Sequence, residues 1–176
     1  MEICTKINGM ERLDGAFLLH GDCADIKICF LTDEIVRVRA SFDRELAEES
    51  YILAATAWED RLDPLFEGER TRLTPVVPAV EESEKTLVFC SQALRLEVDR
   101  DPLCIRLYDA DGTELYSSLA GSPFILDSNH RVNHYSRMEE DDCFYGFGEK
   151  TGALNKNKEY LRERATDAMG YDAEKM

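Results

Sequence analysis

The stretch ALRLEVDRDPLCIRLYDADGTEL, residues 93–115, decides the fold class of this chain. Between residues 93 and 98, apolar and charged side chains alternate with a period of two, which is typical of a strand with one buried face. Asp101-Pro102 interrupts this strand, and residues 103–108 predict the next one. The turn that follows ends in Gly112, where a positive φ is expected.

Similar patterns lie on the amino-terminal side of this stretch. Ile26, Ile28 and Phe30 would share one face of a strand, and residues 35–40 alternate again after a short polar turn. Residues 87–90 predict a further strand. Short strands spaced by about ten residues, with turn signals between them, predict an all-β sandwich.

One segment departs from this pattern. Residues 43–64 are rich in Glu and Ala, and we expect an irregular or short helical insertion there. Pro64, Pro75 and Pro78 then mark a linker-like stretch before the next strands.

The composition excludes some classes of partner. The chain has 176 residues with 36 Asp and Glu against 21 Lys and Arg, a formal net charge of −15. Such an acidic protein is not expected to bind nucleic acid or an anionic membrane, and it suits neutral ligands such as sugars. No apolar run approaches the ~20 residues of a membrane-spanning helix.

The cysteines predict neither a zinc motif nor a disulfide framework. No C-x-x-C pair occurs among Cys4, Cys23, Cys29, Cys90, Cys104 and Cys143. No secretory leader is visible in the sequence. We therefore expect free, partly buried thiols and a cytoplasmic location.

The most distinctive stretch is CFYGFGEKTGALNKNKEYLRERATDAMGY, residues 143–171. Its glycines allow the backbone to come close to a ligand or to another strand. An acid, Asp167, follows on a loop beside small residues and close to Tyr171. Loops on a rigid scaffold often carry function, and a carboxylate in this setting can bind sugar hydroxyls.

YGFGEKTG at residues 145–152, followed by ATDAMGYD at residues 165–172, resembles the end of the N-terminal β-sandwich domain of glycoside hydrolase family 31. This family contains α-glucosidases and α-xylosidases, and its bacterial members tend to read Y-G-x-G-E-K-x-G and then N-T-D-A-x-G-Y-D. Residues 93–115 also look like the sandwich of the family. Ala165 stands where the family usually has asparagine. Its side chain cannot make the hydrogen bond that the asparagine would supply.

The resemblance implies a fold for this chain and a separate domain for the catalytic residues. It implies a galactose-mutarotase-like β-sandwich over residues 1–176, without the (β/α)8 barrel on which the family carries its two catalytic aspartates. We therefore expect an incomplete N-terminal domain of a retaining α-glucosidase-like enzyme, catalytically inactive by itself. We also expect exposed sheet edges, which favour a homo-oligomer.

The resemblance also assigns one site residue. Asp167 would bind hydroxyls of the α-glucoside or oligosaccharide substrate held by the missing barrel. No catalytic residue, metal or cofactor is implied within this chain. Taken without the resemblance, Asp167 reads as a solvated turn acid or a helix N-cap.

Two other functions remain open at this stage. The chain would alternatively be a stand-alone carbohydrate-binding or interaction module without catalysis. A weaker alternative is a mutarotase-like enzyme, which would need a His and Glu pair on a concave sheet face.

Three further patterns are given no function. Glu149 separates Gly148 from Lys150, so the glycines do not match a phosphate-binding loop, and we expect Glu149 and Lys150 to form a structural pair. His130 and His134 have no third metal ligand nearby in the sequence. The paired acids are expected to be solvated and are given no catalytic role; they are Asp99/Asp101, Glu139/Glu140 and Asp141/Asp142.

Overall fold

The computed structural model describes residues 1–46, 49–66, 70–148 and 152–161, and these residues form an all-β fold. The strands of this described part are β1 (Glu2–Cys4), β2 (Ile7–Leu13), β3 (Ala16–Gly21), β4 (Asp25–Thr32), β5 (Ile35–Ser41), β6 (Ala55–Thr56), β7 (Thr71–Arg72), β8 (Ala79–Glu82), β9 (Thr86–Cys90), β10 (Leu94–Arg100), β11 (Leu103–Asp109), β12 (Glu114–Ser117), β13 (Phe124–Leu126) and β14 (Val132–His134). The prediction of an all-β sandwich is therefore confirmed.

Two antiparallel sheets make up the sandwich, and each is a meander of strands that are neighbours in sequence. One sheet has the order β2-β3-β4-β5, and the other has the order β12-β11-β10-β9-β8. Short turns join the strands, as the alternating sequence predicted. The turn between β11 and β12 contains Gly112 with φ +86°, the conformation expected there.

The inner faces of the two sheets share one core. Ile26, Ile28 and Phe30 of β4 are at most 1% exposed. Opposite them, the apolar residues of β9 and β10 are buried in the same cluster. The rings of Phe17 and Phe89 meet across the core with their centroids 4.9 Å apart. The period-two pattern of the sequence therefore marks the buried faces correctly.

The charged positions of the alternating stretch lie on the outer face. Arg106 of β11 donates two hydrogen bonds, of 2.7 and 2.9 Å, to the carboxylate oxygens of Asp99 in β10. This bidentate pair links neighbouring strands on the solvent side. Asp99, predicted to be a solvated acid, is therefore paired with Arg106 on the neighbouring strand.

A third, small sheet joins the beginning of the chain to a distant segment. Its order is β1-β13-β14, and Cys4 pairs with Phe124. Both residues are buried in the sandwich core. This sheet therefore extends the core beyond the two meanders.

The insertion after β5 has little regular structure, as predicted. It contains a 3-10 helix at Asp63–Phe66 and the parallel two-residue strands β6 and β7. Arg70 is buried here, donates hydrogen bonds to Asp60 and Asp63, and lies over the ring of Phe66. A buried charge network thus replaces an apolar core in this segment.

The chain divides into two compact units, Met1–Arg137 and Met138–Met176. The sandwich forms the first unit, and the glycine-rich motif lies in the second. Across the described ranges, no helix is long and apolar enough to cross a membrane. All six cysteines are free thiols, as expected from the sequence.

Candidate functional site

The glycine-rich motif of the second unit contains consecutive residues with left-handed backbone. Gly146, Phe147 and Gly148 have φ values of 96°, 67° and 68°. Such values are easily adopted by glycine but are uncommon for a bulky residue such as phenylalanine. The two glycines therefore meet a conformational requirement of this loop.

Asn155 holds the motif to the segment that follows it. Its Oδ1 atom accepts hydrogen bonds from the amide of Phe144 at 2.9 Å and from the amide of Asn157 at 3.2 Å. Its Nδ2 group donates to Sγ of Cys143 at 3.3 Å. The Lys156 amide adds a bond of 2.8 Å to the carbonyl of Phe144. One asparagine side chain thus fixes two stretches about ten residues apart.

Glu159 closes the other end of this loop. Its carboxylate accepts a hydrogen bond of 3.0 Å from the Ala153 amide and lies 3.3 Å from Nζ of Lys156. A Cβ atom at Gly152, where φ is +98°, would lie 2.7 Å from Oε1 of Glu159. The positive φ of Gly152 therefore favours glycine at this position, where the Glu159 carboxylate lies close to the backbone.

The loop presents aromatic side chains to solvent. Phe144, Tyr145, Phe147 and Tyr160 are all exposed. A hydrogen bond with Cys143 raises the pKa of Tyr145 above its ordinary value. Exposed aromatic rings offer apolar faces and, in tyrosine, a polar hydroxyl.

The predicted sugar-binding residue follows this loop in sequence. Asp167 lies outside the described residues, as does Ala165. The predicted pair Glu149 and Lys150 also falls in a segment outside them. Residues 143–148 and 152–161 are thus the described part of this candidate site.

A second candidate site is an apolar groove in the sandwich unit, with a volume of about 390 Å³. The described residues that line it are Val36, Val38, Leu96, Ile105, Leu107, Tyr116, Phe124 and His134. They come from strands of the two meander sheets and of the small β1-β13-β14 sheet. The groove therefore lies where the inner faces of the sheets meet.

Tyr116 and His134 form a polar pair in this groove. Oη of Tyr116 lies 2.6 Å from Nε2 of His134, and Nδ1 of His134 lies 2.9 Å from the carbonyl oxygen of Pro123. Because a carbonyl can only accept, Nδ1 donates to Pro123, and in the neutral ring Nε2 then accepts from the tyrosine hydroxyl. Burial raises the pKa of Tyr116 to about 12, with a smaller contribution from Cys104.

This pair gives the groove a limited chemistry. Among the described residues that line it, none is a carboxylate, so His134 has no Glu partner there of the kind that a mutarotase-like reaction would need. Its hydrogen bonds hold His134 between two strands. Sequence analysis did not find the Tyr116–His134 pair, because no periodic pattern links residues on separate strands.

The chain matches a known sequence family over most of its length. Residues 25–176 match the glycosyl hydrolase 31 N-terminal galactose mutarotase-like domain, and the chain belongs to this family. The matched region includes strands β4 to β14 and the motif at residues 145–172. The resemblance noted in the sequence is therefore confirmed.

Individual relatives are much longer than this chain. Alpha-glucosidase 2 of Bacillus thermoamyloliquefaciens is 28% identical over 163 residues, which cover 92% of this chain and 19% of that protein. This chain therefore corresponds to about a fifth of the length of that relative.

Solved structures share the fold. A GH31 dextranase of Flavobacterium johnsoniae, complexed with isomaltotriose, has a TM-score of 0.70 at 20% identity, over 89% of this chain and 18% of that one. The cycloalternan-forming enzyme of Listeria monocytogenes, in complex with a pentasaccharide substrate, has a TM-score of 0.68 at 13% identity. The match covers 98% of this chain and 15% of that one. At these identities the likeness concerns the fold.

Proposed function

We propose that this chain is the N-terminal β-sandwich of a larger, retaining α-glucosidase-like glycoside hydrolase, and that its last loop binds the substrate sugar through Asp167. The observation that carries the proposal is the family match over residues 25–176, which includes the segment with Asp167. The lengths of the relatives support a parent protein with further domains.

In this proposal the chain positions the substrate and breaks no bond. Retaining glycoside hydrolysis needs a nucleophilic carboxylate and an acid/base carboxyl about 5–5.5 Å apart, and both would lie on the following barrel. Asp167 would accept hydrogen bonds from two neighbouring hydroxyls of one sugar ring. Charge strengthens each of these bonds, and a fixed substrate reaches the reactive geometry more often.

The described part of the second unit supports a positioning role. Asn155 and Glu159 each accept or donate hydrogen bonds that tie the loop to itself. A loop that is fixed before the ligand binds loses less conformational freedom on binding. Exposed Phe144, Tyr145 and Phe147 offer surfaces for contact with a neighbouring domain or a sugar ring.

The decisive experiment uses the complete enzyme that contains this chain. We expect Asp167→Asn to lower kcat/KM on a chromogenic α-glucoside about 100-fold, because a charged acceptor is replaced by a neutral one. Asp141→Asn is the matched control, since Asp141 is an exposed acid of the same unit. It should leave kcat/KM unchanged.

Two results would contradict the proposal. Equal kcat/KM values for the Asp167→Asn enzyme and the unaltered enzyme would show that Asp167 makes no contact with the reacting sugar. Turnover of the α-glucoside by the 176-residue chain would show that catalytic acids lie within it. Tight oligosaccharide binding by the chain alone would instead favour a stand-alone binding module.

A further inference from the structure

Cys4 meets the consecutive residues Asp22 and Cys23 at one edge of the sandwich unit. The ligand atoms of Cys4, Asp22 and Cys23 all lie within 4.8 Å of one another. Cys4 is buried, Cys23 is partly buried and Asp22 is exposed. The cluster therefore reaches from the core to solvent.

The backbone holds these three residues together. Cys4 is the last residue of β1, whereas Asp22 and Cys23 form the turn between β3 and β4. The amide of Asp22 donates a hydrogen bond of 3.1 Å to the carbonyl of Lys6, and the amide of Gly21 donates one of 2.8 Å to the carbonyl of Ala24. The turn is thus fixed against the segment that follows β1.

Gly21 allows the cysteine sulfur to approach this turn. A Cβ atom at Gly21 would lie 2.7 Å from Sγ of Cys4 and 2.5 Å from the carbonyl oxygen of Ala24. Any larger residue would push the Cys4 sulfur away from the turn. The close approach of the three ligand atoms therefore depends on this glycine.

The carboxylate of Asp22 is held in one orientation. Its Oδ1 atom accepts hydrogen bonds from the amides of Thr5 at 3.0 Å and Cys23 at 3.1 Å. Its Oδ2 atom accepts one from the hydroxyl of Thr5. Hydrogen bonds of this kind orient metal-binding carboxylates.

Charged side chains lie close to this cluster. Asp22 lies beside both thiols, and Glu2 and Arg44 also lie near Cys23. The charges around the two sulfur atoms are therefore those of two carboxylates and one guanidinium.

We propose that Cys4, Asp22 and Cys23 form a binding site for a thiophilic divalent cation, with Zn²⁺ as its natural occupant. Binding forms two Zn–S bonds and one Zn–O bond and releases the two thiol protons to solvent. Zn–S bonds of about 2.3 Å in a tetrahedron keep two sulfur atoms about 3.8 Å apart. This distance is compatible with the cluster, in which all ligand atoms lie within 4.8 Å of one another. Solvent completes the coordination on the exposed side of Asp22.

The ligand set selects the class of metal. Two thiolates favour zinc, cadmium or cobalt, whereas Mg²⁺ and Ca²⁺ require a shell of oxygen ligands. The site lies in the sandwich unit and rests on residues separate from the proposed sugar-binding loop. Its occupancy is therefore independent of the function proposed above.

Metal titration of the reduced 176-residue chain tests the proposal. With Co²⁺ and Cd²⁺ as spectroscopic probes, we expect thiolate-to-metal charge-transfer bands that saturate at one metal per chain, and Zn²⁺ should abolish them by displacing the probe. Because two protons leave, affinity for Zn²⁺ should rise about 100-fold for each pH unit between about pH 6 and about pH 8.

Single substitutions identify the ligands. We expect Cys23→Ser to weaken Zn²⁺ binding at least about 100-fold and Asp22→Asn to weaken it about 10- to 100-fold. Cys23 is only partly buried, so this variant should fold, which circular dichroism will verify. Cys143→Ser is the matched control because it removes an exposed thiol of the other unit, and it should leave binding unchanged.

The proposal fails if the unaltered chain shows no saturable charge-transfer band. It also fails if folded Cys23→Ser keeps the band and the Zn²⁺ affinity of the unaltered chain. Equal losses of Zn²⁺ affinity in Cys23→Ser and Cys143→Ser would likewise overturn it, since the metal would then not be bound by this cluster.

Discussion

Arg70 donates a hydrogen bond to Asp60 across 3.0 Å, and the two side chains are only 2% and 4% exposed. The guanidinium also lies over the ring of Phe66, 4.0 Å from its centroid. The insertion between β5 and β8 is thus organised around one buried charge pair. Removing one partner would leave the other charge buried without compensation.

We therefore expect Arg70→Met to lower the free energy of unfolding by about 3–5 kcal/mol, because Asp60 would remain as an unpaired buried carboxylate. Urea denaturation of both chains, followed by circular dichroism, measures the difference. Arg61→Met is the matched control, because the Arg61–Glu49 pair is exposed at Arg61. It should change stability by less than about 1 kcal/mol. Similar losses in both variants would argue against a special role for burial.

Two glycines of the first sheet should respond oppositely to alanine. Gly21→Ala places a Cβ atom against backbone and the Cys4 sulfur, and we expect a loss of about 1–3 kcal/mol. Gly9→Ala meets nothing within 4 Å, so restricting the unfolded chain should stabilise the protein by up to about 1 kcal/mol. Thermal unfolding of the two variants distinguishes these effects. A stable Gly21→Ala protein would mean that the turn moves away from Cys4 at little cost.

The half-buried Tyr116 should make stability depend on alkaline pH. Burial raises its pKa from 10.0 to about 12 in the folded chain. The unfolded chain therefore loses this proton first, and the stability contribution, complete below pH 10.0, disappears as pH rises to about 12. We expect Tyr116→Phe to flatten this decline in urea midpoints measured across the range.

Tyr135→Phe serves as the control for this pH series, since Tyr135 is exposed. It should show the same alkaline decline as the unaltered chain. If Tyr116→Phe also declined as steeply as the unaltered chain, the tyrosine would not be the group responsible.

Asn155→Ala should loosen the loop of the second unit without affecting the sandwich. The change removes the acceptor for the amides of Phe144 and Asn157. We expect faster hydrogen exchange at these two amides, whereas amides of Leu94–Arg100 keep their rates. Hydrogen exchange followed by mass spectrometry reads both regions in one sample. Unchanged exchange at Phe144 would mean that other contacts hold the loop.

Much of the sandwich could be predicted from the sequence because its sheets are meanders. Alternation along β10 and β11 marks the buried face, and turn residues such as Gly112 separate the strands. Each of these signals is local, lying within about ten residues of chain. The family motif added the likeness to glycoside hydrolase family 31, which the family match confirms.

Contacts between distant strands could not be predicted in this way. Cys4 and Cys23 are far apart in sequence and meet only because β1 lies beside the turn after β3. Tyr116 and His134 likewise lie on strands of different sheets and meet through their side chains. In neither pair does the number of residues between the two partners indicate that they are in contact. The role of Asp167 remains a prediction, since that residue lies outside the described ranges.

The pairing of Glu2 with Leu126, and of Cys4 with Phe124, has a consequence for folding. Both meanders are closed by short turns and can form as soon as their own strands have left the ribosome. The first strand of the chain must instead wait until Phe124–Leu126 has been synthesised, and its docking closes a long loop at a high cost in entropy. Strand β1 is therefore synthesised long before its partner β13 and must wait for it.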